Sequence, residues 1–197
     1  EILLNKKMSI TGSGTIGAAF KGWADLDGGS ANFSQSAAAN KVTKMNTTSA
    51  ESIFKFELAG SENTAMYFNY GGSKKFYIKD LTIESTNKSS DNRGIFLKAG
   101  SLDISAQNTE NASKANDIHN KITMSGEKNI AIFTQSNGTL DSRADISISG
   151  NEGIGILANA SGAVTNAGEL KATGKSVKAI VAKNSTVTST GKVVVDG

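Results

Sequence analysis

His119 is the chain's one histidine, and a Ser-His-Asp relay would need it as general base. It stands in a polar stretch with no serine-elbow pattern nearby, which favours a solvated loop histidine. Asp141, Arg143 and Asp145 form the densest charged cluster, and grouped acids with a basic partner are what a polysaccharide lyase or glycosidase needs. The aligned residues one repeat later are Thr165, Ala167 and Glu169, so a solvated turn is the better reading. Asp25-Leu-Asp27-Gly-Gly-Ser30 opens like a calcium loop, yet Gly29 and Ser36 occupy positions where such a loop needs an oxygen donor and a bidentate Glu. The sequence therefore assigns no catalytic residue, no metal site and no cofactor.

Recognition is the other chemistry to look for, and aromatic rings dominate binding hot spots and stack on sugars. Tyr67 and Phe68 lie in a strand-like stretch and read as packing, whereas Trp23 and Tyr70 lie near turn signals and are expected to be exposed. The candidate binding set is Trp23, Asp25, Asp27, Phe33 and Tyr70.

The elements that would position these residues follow from an internal repeat. Gly126-Glu-Lys-Asn-Ile-Ala-Ile-Phe-Thr is followed by Gly150-Asn-Glu-Gly-Ile-Gly-Ile-Leu-Ala and Gly174-Lys-Ser-Val-Lys-Ala-Ile-Val-Ala, with Gly197 closing the third unit. The spacings are 150−126 = 24, 174−150 = 24 and 197−174 = 23. Three apolar columns recur: Ile132, Ile156 and Ile180; Leu140, Val164 and Val187; Ile146, Leu170 and Val193. Each unit holds three short β segments, too short to close a core alone, so the units must stack. Working backwards, Leu81-Thr-Ile-Glu-Ser85 aligns with Ile122-Thr-Met-Ser-Gly126, and Gly60 and Gly12 mark earlier boundaries. The spacings become 60−12 = 48, 85−60 = 25 and 126−85 = 41, with Ala18, Met66 and Ile95 in the Ile132 column. Six coils result, and the 48-residue unit has room for a seventh.

The expected fold is all-β: a right-handed parallel β-helix of about 24-residue coils, one segment over residues 1–197. No unit has a helical apolar period or a leucine-rich pattern. Ser142, Asn166 and Ser189 align at a corner and are expected to form a polar ladder. Two polar insertions, at about 20–52 and 105–120, are expected to project as loops from the rod.

Composition narrows the function. The 21 glycines with no proline suit many tight turns, and without cysteine no disulfide or Cys-based zinc site can form. The net charge of +3 is spread over scattered lysines with only Arg93 and Arg143 added, so no basic stripe recommends nucleic acid. No apolar run approaches the roughly 20 residues that span a bilayer, so direct membrane insertion of this segment is not expected.

The stretches Gly153-Ile-Gly-Ile-Leu-Ala-Asn-Ala-Ser-Gly-Ala-Val-Thr-Asn-Ala-Gly and Ala179-Ile-Val-Ala-Lys-Asn-Ser-Thr-Val-Thr-Ser-Thr-Gly resemble the passenger repeats of type V autotransporters, nearest in look to long fusobacterial outer-membrane adhesins. The resemblance is strongest over residues 121–197. It implies export, tethering to the bacterial outer membrane and display as an extracellular rod at the cell surface. It also implies a non-enzymatic adhesin whose partners are a host cell-surface receptor, protein or glycan, or another bacterium, with neighbouring β-helix coils of the same chain at its ends. The alternatives are a polysaccharide-acting β-helix enzyme and a passive spacer.

Overall fold

The computed structural model describes residues 7–22, 44–45, 54–70, 75–78, 81–104 and 120–197. Short segments rich in Ile, Val, Phe and Thr, separated by Gly, Asn and Ser, become strands joined by tight turns. The first turn of the chain supplies β1 (Lys7–Ser13), β2 (Ile16–Gly22) and β3 (Lys44–Met45); the second, β4 (Phe54–Ser61), β5 (Thr64–Tyr70) and β6 (Lys75–Ile78). The third holds β7 (Leu81–Ser85), β8 (Arg93–Ala99) and β9 (Ser101–Ile104), and the fourth β10 (Lys121–Ser125), β11 (Ile130–Gln135) and β12 (Thr139–Ser142). The fifth holds β13 (Asp145–Ser149), β14 (Ile154–Asn159) and β15 (Val164–Asn166). The sixth holds β16 (Leu170–Thr173), β17 (Lys178–Lys183) and β18 (Val187–Ser189), and β19 (Val193–Asp196) closes the series.

Every third strand pairs in parallel. The first sheet runs β1-β4-β7-β10-β13-β16-β19, the second β2-β5-β8-β11-β14-β17 and the third β3-β6-β9-β12-β15-β18. The result is an all-β, solenoid-like stack without helices among the described residues. Seven strand levels at about 4.8 Å make the first sheet roughly 29 Å tall.

Register follows the repeat. Ile132 pairs with Ile95 and Ile156, and Ile156 with Ile180. Ala18 faces Met66, and Met66 faces Ile95, as the alignment expects. Leu140, Val164 and Val187 form one column, and Ile146, Leu170 and Val193 another. Gly12 pairs directly with Gly60, so the 48-residue unit is a single coil and the seventh that was allowed for within it is absent.

Three expectations need correction. Ile122 pairs with Ile83 rather than Leu81, and Phe56 with Ile83, giving offsets of 83−56 = 27 and 122−83 = 39 in place of 25 and 41. The extra residues lie in the corner after β7, where Ser89 N–H donates to Thr86 O and Ser90 N–H to Gly60 O. Second, Ile180 and Val187 are only half-buried and Val193 is 43% exposed, although their columns are right. They belong to the last strands of the three sheets among the described residues, with no described coil stacked over them. Third, Ser142, Asn166 and Ser189 do align, but only the Asn166–Ser189 rung of the expected ladder forms between levels, and Ser142 bonds within its own turn. Asn166 Nδ2 donates to Gly168 O at 3.0 Å and Ser142 Oγ accepts from Ala144 N, with a 3.5 Å contact from Asn166 to Ser189.

The ladder stands at the corner between the first and second sheets. Asn63, Asn92 and Asn129 are fully buried there on consecutive levels. Each backbone N–H or side-chain amide reaches the next level, which satisfies the polar backbone of a bend sealed from water. Asn63 Oδ1 also accepts from Thr15 N at 2.9 Å, and Asn129 Nδ2 donates to Ser125 O at 2.6 Å. One position earlier, Glu62, Asp91, Lys128, Glu152 and Ser176 all have φ between 54° and 59°, so the same left-handed bend turns every coil.

The interior is apolar. Phe56, Leu58, Ile83, Ile95, Leu97, Ile122, Ile132 and Ile156 are all fully buried. Small residues accompany them: Gly17, Ala65, Gly94, Ala131, Gly155 and Ala179 stand second in the six strands of the second sheet, and a Cβ on Gly94 would lie 2.6 Å from Ala131 O.

Candidate functional site

Ala131 is skipped in the pairing of β11 with β8 and β14, and this break in alternation decides which residues of the second sheet face outward. Ala131, Ile132 and Thr134 are buried, while Ile130, Phe133 and Gln135 are half-buried on the outside. Applied along the sheet, the same rule lays out a column of Ala19, Tyr67, Phe96, Phe133, Leu157 and Val181. Beside it, toward the strand ends, stand Lys21, Asn69, Lys98, Gln135, Asn159 and Lys183, with Lys98 at the bulge between β5 and β8. Toward the strand starts lie Ile16, 45% exposed, and the half-buried Arg93, Ile130 and Ile154.

The aromatic members are in contact along the stack. Phe96 and Phe133 overlap with centroids 4.7 Å apart and planes 8° apart, and Tyr67 meets Phe96 edge-on at 5.3 Å. Because Phe96 and Phe133 cover one another's faces, the surface they leave to solvent is largely ring edge, the electropositive part of the ring. Lys21 Nζ lies 5.7 Å from the Tyr67 ring centre and the Arg93 guanidinium 5.6 Å from that of Phe96.

Charge on this sheet is one-sided. Its six strands carry Lys21, Arg93, Lys98, Lys178 and Lys183 and not one Asp or Glu. None of these cations forms an ion pair among the described residues, and the buried Arg93 Nε has no hydrogen-bond partner. The first sheet differs, since Lys55 bridges Glu57 at 3.2 Å and Glu84 at 2.8 Å.

Of the expected binding set, Trp23, Asp25, Asp27 and Phe33 lie outside the described residues, as does His119. Tyr70 lies within them, and the expectation that it is exposed is corrected. It is 5% exposed and its hydroxyl bonds both the N–H and the C=O of Ser101, so it ties β5 to the start of β9. Phe20, the expected first residue of an insertion, belongs to β2 and stacks on Phe68 at 4.8 Å inside the core. Asn120, the expected last residue of the other, is 2% exposed and holds Leu81 N, Ile78 O and Ile104 O.

Asp141 and Asp145 each reach the next level. Asp141 Oδ1 accepts from Thr165 Oγ1 at 2.8 Å and Asp145 Oδ1 from Glu169 N at 3.2 Å, while Arg143 is exposed in the turn between them. Among the described residues no three His, Cys, Asp or Glu side chains group to hold a metal ion, and no helix is long and apolar enough to cross a membrane. A surface cavity of about 410 Å³ lies between the turns after β14 and β17, lined by Ser161, Gly162, Ala163, Asn184, Ser185 and Thr186, none of them titratable.

The outer face of the second sheet is the candidate site, and residue-by-residue reading of the sequence missed it. The signal was present: with Ile95 and Ile132 placed in one column, Phe96 and Phe133 fall in the next. Comparison with family models, with curated proteins and with solved structures finds no match in any of the three.

Proposed function

We propose that this chain is a non-enzymatic recognition segment of a surface-displayed adhesin. In this reading it is a right-handed parallel β-helix of about 24-residue coils, from the passenger of an autotransporter tethered to a bacterial outer membrane. It attaches the cell to a host receptor or to another bacterium. One observation carries the reading: the second sheet turns a continuous apolar column outward, flanked by cations without acidic partners. Large exposed apolar strips rimmed by polar groups mark interaction surfaces in water-exposed proteins. A rod that served only as a spacer would gain nothing from a half-exposed strip of this kind lined by cations.

The stack supplies what adhesion requires mechanically. Each level is bonded to the next along three sheets, so the face is presented on a scaffold with little internal freedom. The direct test is attachment of the purified chain to epithelial, immune and bacterial cells. Saturable attachment supports the reading, and none to any of them returns the segment to the role of spacer.

A further inference from the structure

Resting on that adhesive reading, we infer that the outer face of the second sheet binds an acidic polysaccharide lying parallel to the rod axis. The argument begins with the column at the strand ends. Lys21, Asn69, Lys98, Gln135, Asn159 and Lys183 occupy six consecutive levels, and all of them carry a hydrogen-bond donor. The amide side chains of Asn69, Gln135 and Asn159 are half-buried and make no hydrogen bond among the described residues, so their donors and acceptors remain open. A line of donors repeated every level, about 4.8 Å apart, fits a linear polymer with repeated polar groups.

Charge selects the kind of polymer. The acids before the strands, Glu62, Asp91, Glu127 and Glu152, stand in the preceding corner, six or more residues from the lysine and amide column, or about 20 Å along an extended strand. At physiological salt the Debye length is about 8 Å, so these acids are screened from the column. The acids that follow it lie on the third sheet: Asp103, five residues past Lys98, is 7% exposed, and Asp141, six past Gln135, accepts from Thr165 Oγ1. The strands of the second sheet themselves carry no acid. Lys21, Lys98 and Lys183 therefore present net positive charge, and the outward ring edges of Phe96 and Phe133 add to it. Carboxylate or sulfate groups meet the lysines, hydroxyls meet the amides, and the apolar C–H surfaces of the sugars lie on the Tyr67, Phe96, Phe133 and Leu157 column.

Two other occupants fit less well. A second copy of this face would bring five cations against five. A folded protein partner would need pockets to seat its anchoring side chains, and this face is a flat sheet.

The test is binding of the purified chain, by calorimetry and surface resonance, to four probes: a sulfated glycosaminoglycan, polygalacturonate, neutral dextran and poly-glutamate. Saturable binding to one or both acidic glycans is expected, with none to dextran and about tenfold weaker binding to poly-glutamate. Asn69→Ala/Gln135→Ala/Asn159→Ala should lower glycan affinity about tenfold or more at an unchanged melting temperature. Lys21→Ala/Lys98→Ala/Lys183→Ala should lower affinity and flatten its salt dependence. Binding to poly-glutamate equal to that of the glycans, or indifference to the amide triple, overturns the proposal, since charge alone would then explain it. Attachment to cells without binding to either glycan overturns it too, while the adhesive reading survives; failure of both assays removes both.

Discussion

The backbone N–H of Asn63 donates to Asn92 Oδ1 at 2.8 Å, and one level on the N–H of Asn92 donates to Asn129 Oδ1 at 2.9 Å. Asn92 Nδ2 returns a bond to Gly60 O at 3.0 Å, so the middle asparagine satisfies one donor and one acceptor besides its own. Replacing it with alanine leaves the buried Asn63 N–H without a partner, while the Gly60 carbonyl keeps the bond from Ser90 N–H. Asn92→Ala should therefore lose about 1–3 kcal/mol in a denaturant titration. A loss under about 0.5 kcal/mol would mean that water or a shifted backbone replaces the ladder.

Inner and outer aromatics should respond differently. Phe68 is fully buried against Phe20, and Phe68→Ala should cost about 3–5 kcal/mol. Phe133 is half-buried on the outside, so Phe133→Ala should cost only about 1 kcal/mol, chiefly its stack on Phe96. Thermal unfolding of the two variants side by side measures the contrast.

Glycine matters where two levels approach. A Cβ on Gly150, whose φ is +120°, would lie 2.1 Å from Gly126 O, whereas one on Gly14, at φ +68°, meets nothing within 4 Å. Gly150→Ala must displace backbone and should destabilise by more than about 2 kcal/mol, against about 1 kcal/mol for Gly14→Ala.

The ion pairs of the first sheet should contribute little. Bonds that Lys55 donates to Glu84 and then to Glu57 hold its ammonium above the ordinary 10.5. A raised lysine value means that the contribution is complete below that pH and fades as the pH climbs through the folded value. With the Glu57 side chain 32% and that of Glu84 41% exposed, Lys55→Met should lose less than about 1 kcal/mol at neutral pH. The difference from the parent should shrink in strongly alkaline buffer, and urea titrations at pH 7 and pH 11 decide it.

Much of the stack was legible in the sequence because glycine marked the unit boundaries and one apolar position per strand tolerated no polar residue. The slip between Leu81 and Ile83 was not, for a physical reason. Both are apolar and two residues apart, so either register keeps the same side chains inward. The asparagine ladder escaped because Asn directly after a charged residue, as after Glu62, Asp91 and Lys128, reads as a solvated turn residue, and its buried role depends on the level above. The outward column escaped because Ile130 through Phe133 is apolar on both sides of the strand, and only the skipped pairing at Ala131 separates them. The candidate binding residues were sought in the first insertion and, for Tyr70, beside a turn signal; of them only Tyr70 lies among the described residues, as a buried tie between β5 and β9.

The central claim is that recognition belongs to the outer face of the second sheet. It is tested most directly by cell attachment of the parent chain beside two variants, Tyr67→Ser/Phe96→Ser/Phe133→Ser on that face and Asp141→Ala/Thr165→Ala/Thr188→Ala on the outside of the third sheet. The account predicts attachment reduced about tenfold or more in the first variant and unchanged in the second, with both still folded by circular dichroism. Equal attachment by all three proteins would contradict it.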